Sequence, residues 1–452
     1  MSQANSERPQ LGNFSRSWDE ASRKFRAAAL AAGARLEQIA LPHLKEAGVS
    51  SDADGRLLCI DVAVFSADDN GDDVSKNQKI LLYTAGQHGV EGYAGSAILI
   101  DLCEQIQAAG GVAAAVPEGG KIIFVHVMNP HGMREWRRWN ESNVDLNRNN
   151  GITQLEFLER AENPDPIYVK YDKFLNPTKK LSFCDCFTPR LLCLIAKEGF
   201  NNGKQALAGG QRHKPTGLFF GGTQWEAGPK AVFAFLNKEG VSETNCNLQA
   251  FFHVDLHTGV GPYKHDSLLA EDCFLSQLAE IFGGKGDLKS DWHLDGIGTW
   301  VQRAAAPLHD TAGESKQVVV EITSDREAKD GVAYSPKGHI GGGLFFETSP
   351  PHMHKIQNGK KHQLLSADWV SVTQEFGTRK GTKMFELLRA ENAMTGEIVL
   401  QDPDFILKKS IRNRPERVAL FDAFCPADPA WRTFVLERGR VVFQQARAHV
   451  FR

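Results

Sequence analysis

Short apolar runs separated by polar, glycine-rich stretches set the rhythm of this chain. Six of them predict strands by length and by their Val, Ile and Phe content. They are "RLLCIDVAVFS" (56–66), "KILLYTAG" (79–86), "KIIFVHVMNP" (121–130), "LQAFFHVDLHTG" (248–259), "QVVVEIT" (317–323) and "DWVSVTQEFGT" (368–378). The polar "ADDNGDDVSKNQ" between the first two predicts a loop. Residues 18–47, 91–109, 383–394 and 429–450 carry charges at helical spacing and predict helices, with Pro42 placed to kink or end the first. Strand, helix, strand in succession implies a parallel βαβ unit, hence an α/β fold. The stretch from about 151 to 245 is less regular and carries Gly-Gly pairs at 209–210 and 221–222. With no internal repeat and no long linker, one large domain over 1–452 is expected. Within it lie an N-terminal helical segment (about 17–47), an insertion (about 151–245) and a C-terminal helical extension (about 401–452).

Composition narrows the class. The 452 residues are 42% hydrophobic and 24% charged, as in water-soluble globular proteins. A net charge of −3 offers no electrostatic case for nucleic acid or an anionic membrane. No stretch of about eighteen apolar residues suggests a membrane span, and the first residues lack the apolar core of a signal peptide. A cytoplasmic location is therefore expected. The eight cysteines are scattered without a C-x-x-C, so neither a zinc ribbon nor a disulfide scaffold is suggested. Cys184 and Cys186 read as a cysteine pair inside the insertion. H-E-x-x-H, G-x-S-x-G and a phosphate-binding loop are all missing, and the glycine-rich "GHIGGGLFF" (338–346) reads as a loop.

Candidate chemistry gathers at predicted strand ends, where α/β proteins place ligands. His88 and Glu91 stand three apart after the second strand, flanked by Gly86, Gly89 and Gly92. The same spacing recurs at His43 and Glu46, inside a helical run, where it reads as a solvated face. "NPHGMREWRRWNESNVDLNRN" (129–149) holds Arg134, Arg137, Arg138 and Arg148. Guanidinium groups grip carboxylates in pairs of parallel bonds and steady developing oxyanions; for Arg134 and Arg137 a basic surface loop is the plainer expectation. In "HVDLHTGVGPY" (253–263) His257 follows Asp255 by two, and metal-bound imidazoles commonly pass their second N–H to a carboxylate. Two histidines and one glutamate leave a coordination position open, the pattern of hydrolytic zinc. Glu321, Glu347 and Glu375 end late strand-like runs and compete for the role of general base.

Together these stretches resemble the zinc carboxypeptidase family M14, which reads H-x-x-E, N-P-x-G, R-x-N, D-x-N-R-N, a later histidine and a late-strand glutamate. The matching positions are His88 and Glu91, Asn129-Pro130 with Gly132, Arg138 with Asn140, Asp145 to Asn149, His257 and Glu375. "DLHTGVGPY", "QEFGTRKGTKMFELLRAEN" and "DPAWRTFVLERGR" are similar, more narrowly, to the branch called DUF2817. The resemblance implies a central mixed eight-stranded sheet between helices and a zinc ion held by His88, Glu91 and His257. It implies Glu375 as the proton carrier and Arg138 as the oxyanion's partner. Asn147 and Arg148 would hold the free carboxylate of a small-molecule or short-peptide substrate. Two departures stand out: 109 positions separate Arg148 from His257, and His131 replaces the acid of N-P-D-G. A substrate-clamping tyrosine has no clear counterpart; Tyr263 is the first candidate and Tyr334 the second. Three functions follow as expectations: a carboxypeptidase-like hydrolase, a deacylase of N-acyl amino acids like the aspartoacylase and desuccinylase relatives, or an inactive binding protein of the same fold. The oligomeric state is not set by the sequence.

Overall fold

The computed structural model describes residues 11–50, 55–67, 78–150, 154–177, 181, 185–199, 209–242, 245, 247–270, 278, 281–282, 292–294, 300–309, 315–324, 368–401 and 410–452. Among these, ten strands form one sheet: β1 (Arg35–Ala40), β2 (Cys59–Ser66), β3 (Gln78–Ala85), β4 (Gly120–Val125), β5 (Leu248–Val260), β6 (Asp266–Ala270), β7 (Trp292–Leu294), β8 (Trp300–His309), β9 (Ser315–Ser324) and β10 (Asp368–Arg379). Their order across the sheet is β1-β2-β4-β3-β5-β10-β6-β9-β8-β7. Pairings β3–β4, β3–β5, β5–β10 and β6–β9 are parallel, and the others are antiparallel. The sheet is mixed, as expected, with ten strands rather than eight.

All six predicted strands are present, as is the C-terminal helix Pro429–Val450. The first helix is shorter than expected. Trp18–Ala31 is helical, capped by the Ser17 side chain accepting from Glu20 N, but Gly33 adopts φ +88° and ends it. Arg35–Ala40 then pairs antiparallel with β2 as the sheet's edge strand, and Pro42 opens a short helix, Pro42–Glu46. β6, β7 and β8 were not anticipated. The loop 68–77, the glycine-rich 338–346, Cys184, Tyr334 and Glu347 fall outside the described residues.

Period-two alternation along the central strands sorts two jobs onto two faces. Ala85 and Leu256 face the helix Gly92–Ala108, where Gly95 passes close to both side chains. Thr84, Asp255 and His257 project from the opposite face. Ile80, Leu81, Leu82, Tyr83, Phe251, Phe252 and Val254 are fully buried, so β3 and β5 form the floor of the core and hold that second face rigid. No helix among the described residues is long and apolar enough to cross a membrane.

Candidate metal centre

β3 ends at Ala85, and the chain turns through Gly86 and Gln87 into His88, a 3₁₀ turn (Gly89–Glu91) and the helix from Gly92. The next strand in the sheet, β5, delivers His257 to the same end. His88 Nδ1 lies 2.8 Å from Glu91 Oε1. His257 Nδ1 lies 3.1 Å from Glu91 Oε2 and 3.2 Å from His88 Nδ1. All three residues are buried, and their donor atoms lie within 4.8 Å of one another. Two imidazole nitrogens and a carboxylate converge on one point, held there by contacts of both rings to Glu91 and open to exchange for a cation. Two nitrogens and one oxygen suit a divalent transition ion and leave room for further ligands.

Outer partners fix each imidazole. Asp255 Oδ2 holds His257 Nε2 in a short contact, which turns Nδ1 toward Glu91. Asp255 Oδ1 accepts from Thr84 Oγ1 at 2.7 Å; Thr84 meets His253 Nε2 at 2.8 Å, and His253 Nδ1 meets Ser371 Oγ at 2.8 Å. Asp145 Oδ1 lies 3.3 Å from His88 Nε2, and its other oxygen accepts from Arg138 Nε at 3.0 Å. Glu91 also accepts from Thr258 N at 3.0 Å and lies 3.4 Å from the Arg138 guanidinium. Burial alone raises the Glu91 pKa, but the two imidazoles outweigh it and hold the carboxylate well below its usual range. Asp145 follows the same balance: burial is overcome by Arg138 and His88. For His257, burial favours the neutral ring, yet Asp255 and Glu91 raise it well above the usual histidine value.

The loop between His88 and Glu91 needs its glycine. A Cβ on Gly89 would sit 2.2 Å from the carbonyl carbon of Gly132, because the N-P-H-G turn runs directly against it. Gly89 N and Val90 N donate to the carbonyls of Arg138 and Arg137, at 3.1 and 2.7 Å, so the histidine loop and the arginine loop form one unit.

Glu375 on β10 pairs in parallel register with His257 on β5, which puts both side chains on the same face of the sheet. Its Oε1 accepts from Val260 N at 2.9 Å. Burial pushes the Glu375 carboxyl up to about 8, with the Glu91 charge adding to the push. By contrast, Glu321 lies on β9, with β10 and β6 between it and β5. Asn147 and Arg148 occupy the 3₁₀ turn Leu146–Arg148, which Asp145 caps through Asn147 N at 3.0 Å. Arg148 is buried, and its NH1 donates to the Asn147 carbonyl at 2.8 Å. No hydrogen bond engages Asn147 Oδ1.

The sequence profile of DUF2817, described as a protein of unknown function, matches residues 14–278, more than half of the chain. The chain belongs to DUF2817. No match was found among curated proteins. Solved structures similar to this DUF2817 chain include the carboxypeptidase A of Helicoverpa armigera (13% identity, TM-score 0.39, covering 88% of this chain and 76% of that one). Thrombin-activatable fibrinolysis inhibitor gives 13% identity and a TM-score of 0.40, covering 91% and 78%. A metallo-carboxypeptidase from Burkholderia cenocepacia gives 11% and 0.34, covering 84% and 68%.

In this DUF2817 chain the arginine loop departs from the expected basic surface. Arg137 is fully buried and donates to Glu391 at 2.8 Å and to Asn143 at 2.7 Å; Glu391 also receives Arg417 at 3.2 Å, and Arg417 reaches Glu135 at 2.7 Å. Arg134 pairs with Glu135 at 2.6 Å. These arginines tie the helices Gly381–Gln401 and Pro415–Phe424 to the loop that carries Arg138. Tyr263 is exposed and its hydroxyl donates to Asp428, which caps the C-terminal helix. His43 pairs with Glu141 at 2.6 Å, and its side chain is partly buried rather than fully solvated. His131 is buried with neither ring nitrogen bonded, and burial lowers it to about 4, so it stays neutral. Sequence reasoning missed the insertion's part in the site. Phe219, from the insertion, places its ring 5.6 Å from the Arg138 guanidinium. The Gly-Gly pair at 221–222 was the available signal: a Cβ on Gly221 would lie 2.8 Å from the Arg148 carbonyl.

Proposed function

We propose that this protein is a zinc-dependent hydrolase of amide bonds. On this reading it removes the C-terminal residue from a short peptide or cleaves an N-acyl amino acid, and the substrate bears a free carboxylate beside the cut bond. The observation that carries the reading is the convergence of His88, Glu91 and His257, with Glu375 in register beside His257. A zinc ion held by these three would polarise the carbonyl and bring the pKa of water down toward about 7.

The chain's own groups do the rest. Glu375 takes a proton from the attacking water and returns it to the leaving nitrogen. Its raised pKa suits a group that must carry that proton between steps, and a cation beside Glu91 offsets part of the push. Arg138 faces the developing oxyanion, held in place by Asp145 and covered by Phe219. Arg148 and Asn147 bind the substrate carboxylate.

The deacylase reading gains from one observation. The inserted segment 209–222 closes on the carboxylate turn: a Cβ on Gly210 would lie 3.0 Å from the Arg148 side chain. Such a cover favours small substrates over the ends of long chains. The test is metal analysis of purified wild type and His257→Ala, joined to hydrolysis of N-acyl amino acids and dipeptides. The expected result is about one zinc per chain, lost together with activity in the variant; the preferred substrate then separates peptidase from deacylase. Wild-type protein that cannot be loaded with zinc would refute the hydrolase reading and leave a binding protein.

A further inference from the structure

Arg212 is a buried cation that no carboxylate pairs with among the described residues. It is 3% exposed, and its NH2 donates to the Arg148 backbone carbonyl. Its guanidinium lies 5.0 Å from the Phe157 ring, and its Nε has no hydrogen-bond partner. No ion pair to it exists among the described residues. Among the described residues the charged groups that act on it are Arg160, Arg148 and Glu156, and Glu156 is itself 3.5 Å from Arg160. Buried guanidinium groups are normally paired, because desolvation without a counter-charge is costly. Burial, and after it the Arg160 charge, push Arg212 down to about 9.

Its place is fixed by the loop around it. Gln211 N donates to the Phe219 carbonyl at 3.0 Å, Gly221 N to the Gln211 carbonyl at 2.8 Å, and Asp145 N to the Phe220 carbonyl at 2.7 Å. Asn149 Nδ2 adds a bond to the Gly221 carbonyl at 2.9 Å. Arg212 is thus bolted to the turn that carries Arg148. Phe219, the residue of this loop that covers Arg138, holds φ +55°, a left-handed conformation unusual for a bulky side chain. The segment is built against the site rather than draped over it.

We propose that Arg212 is a second anion-recognising residue beside Arg148, so that the site selects substrates whose carboxylate-bearing residue also has an acidic side chain, aspartate or glutamate. This rests on the carboxylate role given to Arg148 above. One arginine meets the main-chain carboxylate, and the other meets the side-chain carboxylate of the same residue.

The test is calorimetric titration of the zinc-loaded full chain with glutarate and with its monoamide, glutaramate, neither of which offers a peptide bond to cut. Wild type should bind glutarate about ten- to a hundredfold more tightly, the worth of a hydrogen-bonded charge. Arg212→Gln should bring the ratio to within about threefold, and Arg212→Lys, which keeps the charge but loses the fork, should fall between. Equal affinities in wild type, no binding of either probe, or a ratio unchanged in Arg212→Gln would overturn the proposal. Should the Gln variant not fold, the Lys variant decides, and an unchanged ratio there overturns it. Binding needs no turnover: glutarate selection by a chain that hydrolyses nothing would leave Arg212 assigned and remove the hydrolase reading. Hydrolysis without acid preference would do the reverse.

Discussion

On the proposed zinc reading, Asp255→Ala should weaken metal binding without touching any of the three proposed donors. Asp255 is buried and spends both oxygens, one on His257 Nε2 and one on Thr84 Oγ1. Removing it leaves the imidazole free to rotate and to place its proton on Nδ1, the nitrogen that must face the metal. A hydrogen bond to a charged group contributes about 1.5–3 kcal/mol, and outer partners of metal-bound histidines are worth about ten- to a hundredfold in affinity. The two scales agree, so a ten- to hundredfold weaker Kd is expected. The change also has a pH signature. In the metal-free wild type Asp255 and Glu91 raise His257 above its usual value, so zinc must displace a proton there. Without Asp255 that proton leaves at lower pH, and zinc meets less competition. The gap between wild type and variant should therefore be widest in alkaline buffer and should narrow as pH falls. Competition against a chromophoric chelator across pH 6–9 measures both. A Kd within about threefold of wild type in alkaline buffer, with the fold intact by circular dichroism, would refute the reasoning. Asp255→Asn should fall between, because a flipped amide can still accept from His257 while the Thr84–His253–Ser371 chain reverses its donors.

Glu375→Gln should keep zinc and the Val260 bond yet lose about 10²–10⁴-fold in kcat, the usual worth of a general base, by steady-state kinetics. The same variant carries a stability prediction. A buried acid raised to about 8 holds its proton in the folded state after the unfolded chain has released it, so metal-free wild type should lose stability as pH rises from about 4.3 to 8. Relative to it, Glu375→Gln should grow more stable over that window in thermal scans, and parallel curves would contradict the burial argument. Arg148→Ala should raise KM for free acids by about ten- to a hundredfold while leaving C-terminal amides little changed. A Cβ on Gly89 would lie 2.2 Å from Gly132. Gly89→Ala should therefore cost about 1–3 kcal/mol or more in denaturant titrations, as overpacking does.

The convergence of His88, Glu91 and His257 was legible because His88 and Glu91 follow closely on the apolar strand β3 and His257 lies near the end of β5, and hydrophobic patterning reveals such strands best. Choosing Glu375 over Glu321 depended on the resemblance of the residues around it. The register with His257 supplies the physical reason, and strand order cannot be read from a single sequence. Arg35–Ala40 read as helix because this edge strand mixes exposed and half-buried residues without strict alternation, and the signal that mattered was Gly33. Arg137 read as surface because its partner, Glu391, lies 254 positions away. Arg212 and Phe219 were invisible for a similar reason: neither belongs to a motif, and only the folded insertion brings them to Arg148 and Arg138.

Strand order has a consequence for how the protein is made. β10 lies in the middle of the sheet, between β5 and β6, although it is the last strand among the described residues. While the chain leaves the ribosome, His88, Glu91 and His257 have all emerged before residue 368, so the proposed metal donors are present in a nascent molecule that still lacks Glu375. Pairing across such sequence separation is slow to form. The slot beside β5 stays open until then, an unpaired edge exposed to other nascent chains. Insertion of one late strand both seals that edge and brings Glu375 beside His257, so on the proposed hydrolase reading competence would arrive only with a closed sheet.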